Sequence, residues 1–205
     1  MPTLSAYFEW YHAAVPRHVI TAPDDPPTMT CPSGPMVYLA GPIQGSANWQ
    51  MEAIQILDDL APELHVASPR AKDFKGGAER FLAWEQQALV RAAADGVVLF
   101  WLAKETKHHC SRPYAANARF ELGELAVKAA TGLLCVVVGI EQGFPGGKYL
   151  QRRLTLSYPQ IPICRTLRQT CAVAAERACV DTLSAALPRS LAELFVVPSF
   201  GRNNG

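Results

Sequence analysis

No segment of this 205-residue chain stays apolar for the ~20 residues that a membrane-crossing helix needs; the longest apolar runs, Val97–Ala103 and Leu133–Val138, are far shorter. An excess of one charge sign is also missing. Nineteen Lys and Arg face 18 Asp and Glu, a formal charge of +1, so the chain has no basic surface for a nucleic-acid polymer or an anionic membrane. The opening Met-Pro-Thr-Leu-Ser lacks the basic and apolar stretches of a secretory signal, and a cytoplasmic protein is expected. Six cysteines (Cys31, Cys110, Cys135, Cys164, Cys171 and Cys179) match no metal-ligand spacing, and a chain this long needs no disulfide staples. Reduced thiols are expected, with Cys135 a small core residue. Neither a Gly-X-Gly-X-X-Gly nor a P-loop sequence occurs, and no Ser-His-Asp or Cys-His arrangement can be read. His108-His109-Cys110 has no second cluster to complete a metal site, and the isolated His12, His18 and His65 are expected in structural roles.

What is present is a foldable composition. Hydrophobic residues make up 49% of the chain, enough for one buried core. Residues 1–35 hold seven of the 16 prolines and no sustained period, so they read as a Pro-rich extension, with Phe8, Trp10 and Tyr11 available to pack on the domain or cover a subunit contact. The domain is expected to span 36–205, including an Ala-rich helix near its end.

From Met36 onward strand and helix patterns alternate. Met36–Ala40, Leu64–Ala67, Gly96–Leu102, Leu133–Val138 and the weaker Ile161–Cys164 are short apolar runs. Helical spacing marks Trp49–Leu60, Ala78–Ala94, Asn117–Ala130, Lys148–Leu156 and residues 168–187. Strands apolar on both faces between helices predict an α/β fold: a doubly wound, Rossmann-like or flavodoxin-like parallel sheet of about five strands with helices on both faces. Ligands of such sheets sit at the carboxyl ends of the strands, which singles out loops 41–49, 68–84, 103–120 and 139–148.

Three of these loops lead to residues with chemistry. The first reads Gly41-Pro42-Ile43-Gln44-Gly45-Ser46-Ala47-Asn48-Trp49, small residues before a helix start, which suit either a sugar or phosphate cradle or an ordinary turn. Glu121 lies in the first turns of a helix that follows a ligand-side loop; it faces the crevice if Phe120, Leu122 and Leu125 face the core, or else it complements the helix dipole. Glu85 follows Trp84 on the preceding helix, and two carboxylates on one sugar, a nucleophile and a proton donor, are what retaining glycosyl chemistry requires. Asp95, between helix and strand, is expected at the opposite end of the sheet.

In order along the chain, Val37-Tyr-Leu-Ala-Gly-Pro-Ile, Ser68-Pro-Arg, Trp84-Glu-Gln-Gln-Ala-Leu, Val98-Leu-Phe-Trp and Phe120-Glu-Leu-Gly-Glu-Leu resemble the nucleoside 2-deoxyribosyltransferase superfamily over about Met36 to Arg153. The resemblance implies a Rossmann-like sheet and exchange of the base of 2'-deoxynucleosides through a covalent glycosyl ester. Its nucleophile matches Glu121, its strand tyrosine that holds the nucleophile by a hydrogen bond matches Tyr38, and its acid for the base matches Glu85. Gly41, Pro42, Ile43, Gln44, Ser46, Trp49, Trp84 and Asn117 are the expected substrate-binding residues, with Trp101 either stacking or core. No metal or organic cofactor is implied, because the chemistry needs only carboxylates. The expected partners are a nucleoside or nucleotide, a free base and further copies of the chain in a homo-oligomer. Two other outcomes stay open: hydrolysis of a nucleoside or nucleoside 5'-monophosphate, with Ser46, loop amides and Arg112 as phosphate donors, and a nucleotide-binding module without turnover.

Overall fold

The structure, a computed structural model, describes residues 19–22, 34–70 and 77–184. Phe8, Trp10, Tyr11, His12, His18, Cys31, the side chain of Cys179 and the chain beyond Ser184 lie outside the described residues. The elements run β1 (Val19–Thr21), β2 (Met36–Ala40), α1 (Trp49–Leu60), β3 (His65–Ser68), α2 (Ala78–Asp95), β4 (Gly96–Leu102), α3 (Ala116–Ala130), β5 (Val136–Ile140), α4 (Gly147–Ser157), β6 (Ile163–Cys164) and α5 (Leu167–Ser184).

Among the described residues the six strands are all parallel, in the order β1-β3-β2-β4-β5-β6. Without the edge strand β1, this is the doubly wound flavodoxin-like order, which reverses between β2 and β4. Because successive strand residues face opposite sides, Val37, Leu39, Val97, Leu99, Trp101 and Val137 pack on α1 and α5. Met36, Tyr38, Val98, Phe100, Leu102 and Val138 take the other side, under α2, α3 and α4. Every residue of β2, β3 and β4 is buried, as expected for parallel strands covered twice. Among the described residues no helix is long and apolar enough to cross a membrane.

The sheet differs from the sequence expectation by small shifts at β3, which runs one residue later, and β6, which starts two residues later, and more substantially at three places. It has a sixth strand, β1, paired in register with Val66–Ser68 of β3, so part of the Pro-rich stretch is sheet. The fifth strand begins at Val136 rather than Leu133. The chain leaves α3 through Gly132, in the left-handed region at φ 71°, and Leu133 N–H still bonds to the Lys128 carbonyl, so residues 133–135 are spent climbing back to the sheet. Its far end includes Gly139, where a Cβ would collide with the Trp101 ring and the Thr170 hydroxyl; the glycine is required by packing and does not start a loop.

Candidate active site

The reversal between β2 and β4 opens a crevice at their carboxyl ends, and two loops wall it. The β2–α1 loop is zipped to the β4–α3 loop at one carbonyl, since Gly45 O accepts from Thr106 N (2.7 Å), Lys107 N (3.0 Å) and Thr106 Oγ1 (3.1 Å). Glycine is required at both bends. Gly41 has φ 137°, and a Cβ there would fall on the Trp101 carbonyl; Gly45 has φ 80° and lies against the Lys107 carbonyl and the Tyr114 ring. Tyr114 Oη in turn donates to Ala103 O at 2.7 Å, fixing its ring as a wall. At the start of α3 the non-glycine Ala115 sits in the left-handed region at φ 55°, a strained bend that turns the chain sharply into the helix beside the cleft.

The resulting cleft has a volume of about 650 Å³ and is lined by Gly41, Pro42, Ile43, Gln44, Glu85, Asn117 and Glu121 among the residues expected from sequence. This volume falls in the ~300–1,000 Å³ range of small-molecule sites. The same wall carries residues that sequence reasoning did not assign to it: Phe81, Glu105, His109 and Tyr114. Phe81 lies one helical turn before Glu85, so its apolar face was readable from i, i+4 spacing once Glu85 was placed. The others were hidden in a loop whose path no periodicity reveals.

Two carboxyls line the cleft, and one buried phenol that does not line it interacts with both. Tyr38, on β2, is fully buried. Its hydroxyl makes no hydrogen bond of good geometry, although the Glu85 carboxyl lies close enough to interact with it. Burial first, then the Glu121 and Glu85 charges, hold the phenol protonated well above its usual range. Glu85 and Glu121 are half-buried, one from α2 and one from α3. Burial pushes Glu85 up to about 7, opposed by the Tyr38 hydrogen bond. Burial, then Glu85 and Glu124, push Glu121 up to about 8, opposed by Lys128. Two carboxyls that repel each other in one cleft titrate as a pair, and between their two steps they share one proton: one acid and one base. Tyr38 interacts with both carboxyls, and its hydrogen-bonding interaction is with Glu85, where the resemblance implied Glu121.

Other expected residues support the cleft from behind. Trp49 is buried on the opposite face of the sheet and its ring N–H donates to Pro42 O at 2.8 Å. Trp84 is buried edge-on against Tyr38, with ring centroids 6.2 Å apart. Neither tryptophan lines the cleft, because each large ring is taken up by the core. Trp101 is core as well. Ser46 faces its own loop, with its hydroxyl directed at Pro42 O and Ile43 O (2.9 and 3.0 Å). Gln86 and Gln87, beside Glu85, are exposed and off the cleft. The 139–148 loop contributes no lining residue; it is drawn away by Arg119, which bonds Pro145 O at 2.7 Å and stacks 4.8 Å over Phe144. Asp95 pairs with Arg91 at 3.1 Å at the far end of the sheet, and burial raises it to about 6. His108 pairs with Glu105 at 2.9 Å, and among the described residues no group of His, Cys, Asp and Glu side chains is placed to hold a metal.

No family model matches the chain, and no curated protein matches it. Among solved structures it is similar to a conserved protein from Enterococcus faecalis V583, at 12% identity over 71% of this chain and 99% of that one, with a TM-score of 0.44.

Proposed function

We propose that the protein exchanges the base of 2'-deoxynucleosides through a glycosyl ester on Glu121. The observation that carries this reading is the convergence of Glu85 and Glu121 from separate helices on one cleft, over the buried Tyr38 hydroxyl, with both carboxyls titrating near neutral pH. The Glu121 carboxylate attacks the anomeric carbon and the carbon–nitrogen bond breaks. The bonding pair leaves with the base, which takes the proton held by Glu85. An incoming base then attacks the same carbon, displaces the Glu121 carboxylate and returns its proton to Glu85. Phe81 and Tyr114 among the lining residues supply aromatic rings for a flat base.

One observation favours a second reading, hydrolysis of a nucleoside 5'-monophosphate: Arg112 brings an exposed guanidinium to the cleft wall, a group suited to a phosphate. Chromatography separates the readings. Wild type and Glu121→Ala are incubated with deoxynucleosides, ribonucleosides and their 5'-monophosphates, each with and without a second free base. A new nucleoside formed only with the second base, and lost in Glu121→Ala, is the expected result. Base release independent of acceptor would select hydrolysis, and no change in any tube would overturn both in favour of a binding module.

A further inference from the structure

Arg70 lies outside the cleft, yet among the described residues it makes three side-chain hydrogen bonds, all to the wall loop and the helix that follows it. Its Nη2 donates to Ile43 O (3.1 Å) and Ala47 O (3.2 Å), and its Nε donates to Gln50 Oε1 (2.8 Å), a side chain buried in the first turn of α1. Two more groups grip the same loop from behind. The Trp49 ring N–H and the Ser46 hydroxyl hold Pro42 O, and Ser46 also reaches Ile43 O. The carbonyls of Pro42 and Ile43 are therefore both turned into the loop and occupied. A trans peptide is planar, with its C=O and the next N–H pointing opposite ways. The N–H groups of Ile43 and Gln44 are thus turned away from the clamp, and no hydrogen bond to another described residue occupies either of them. Both residues line the cleft. Successive backbone N–H groups of this kind form a cradle for an acceptor oxygen.

We propose that Arg70 is a positioning residue, which fixes the Pro42 and Ile43 peptides so that the Ile43 and Gln44 amides hold an acceptor oxygen of the ligand's sugar, hydroxyl or phosphoryl. The ligand part of this proposal rests on reading the cleft as a nucleoside site; the clamp does not. A guanidinium is needed for the task because its donors are coplanar and fan out to three acceptors at once, which a lysine ammonium on a flexible stem does not reproduce.

The experiment compares the full chain with Arg70→Ala, Arg70→Lys and Gln50→Met, the last removing only the anchor of the guanidinium. Backbone hydrogen exchange over residues 42–48 is measured without ligand, and KM and kcat are measured for a deoxynucleoside and its 5'-monophosphate, with inorganic phosphate as a competitor. Arg70→Ala is expected to speed exchange in 42–48 at least tenfold and to leave the central strands unchanged. KM is expected to rise about tenfold, with kcat and its pH profile held within about threefold. Arg70→Lys is expected to resemble Arg70→Ala, and Gln50→Met to move the same way by less. A larger KM effect on the monophosphate, together with inhibition by phosphate that Arg70→Ala abolishes, assigns the oxygen to a phosphoryl group; equal effects and no inhibition assign it to a sugar hydroxyl. Unchanged exchange and KM in Arg70→Ala would overturn the proposal, as would a loss confined to kcat. If exchange rises as expected while the wild type turns over no nucleoside or nucleotide, the clamp stands and the proposed function has failed.

Discussion

Replacing Glu121 by glutamine is expected to stabilise the fold at alkaline pH and to leave it unchanged in acid. Burial, Glu85 and Glu124 raise this carboxyl from 4.5 to about 8 in the folded chain, whereas in an unfolded chain a glutamate titrates near ~4.3. Between those values the folded state holds a proton that the unfolded state has released, so folding stability falls as pH rises. Below about 4.3 both states are protonated and the cost vanishes; above about 8 the folded state carries the whole cost of a confined charge. At ~1.4 kcal/mol per pH unit the full displacement is worth about 5 kcal/mol. Glu121 is only half-buried, and part of the effect disappears whenever Glu85 is protonated, so about 2 kcal/mol is the expected expression after solvent screening. For a chain of this length each kcal/mol moves the midpoint by ~2–4 °C. Glu121→Gln should therefore melt about 4–8 °C above wild type at pH 9 and within about 1 °C of it at pH 4.5. Thermal unfolding followed by circular dichroism at constant ionic strength reads this directly. A difference that is flat with pH, or that grows toward acid, would refute the claim that Glu121 is held protonated by its surroundings.

Two other substitutions test the surrounding structure. Gly139→Ala places a methyl group on the Trp101 ring of β4 and the Thr170 hydroxyl of α5, and the overpacking is expected to cost about 1–3 kcal/mol, a fall of some ~3–10 °C in a thermal melt. Tyr38→Phe removes the hydroxyl that favours ionised Glu85, so Glu85 should titrate higher still; because Glu85 is the proposed proton donor, the alkaline limb of the rate profile is expected to move to higher pH, while unfolding in urea shifts by less than about 1 kcal/mol because the hydroxyl makes no well-formed hydrogen bond.

The parts of the fold that were legible in sequence are those in which local pattern and tertiary packing agree. Met36–Ala40 and Trp49–Leu60 have the predicted limits because Gly41-Pro42 and Pro62 close them, and Gly96–Leu102 because its unbroken apolar run gives way to the polar stretch that begins at Lys104. Val19-Ile-Thr, only three residues among prolines, could not be told from a linker, since an edge strand of that length is defined by its pairing with β3 and not by any period of its own. Gly139 misled for the reverse reason: a glycine ordinarily punctuates a strand, and here the crowding of Trp101 demands one inside it. In the site, Glu85 and Glu121 were legible because each follows a ligand-side loop on a helix. Trp49 and Trp84 were assigned to a base because aromatic rings serve both purposes, and only the three-dimensional packing shows them on the far side of Pro42 and against Tyr38. Arg70 was visible only as part of a motif, since its three acceptors lie 20 to 27 residues away in sequence.

Burial raises both carboxyls of the cleft, Glu121 with the added repulsion of Glu85 and Glu124, so that near neutral pH the pair holds one proton between them. The roles proposed for them require that proton to rest on Glu85. In the proposed reaction a bound ligand would place it there in two ways. A sugar whose anomeric carbon gains positive charge stabilises an ionised carboxylate beside it, which lowers Glu121, while an apolar base seated against Phe81 removes water from Glu85 and raises it. The Tyr38 hydroxyl, buried beside the pair, favours the ionised form of Glu85, so the ligand's effect on Glu85 has to outweigh it. On the proposed reading the two carboxyls take up their separate roles only when base and sugar are both in place, which ties bond cleavage to full occupancy of the site.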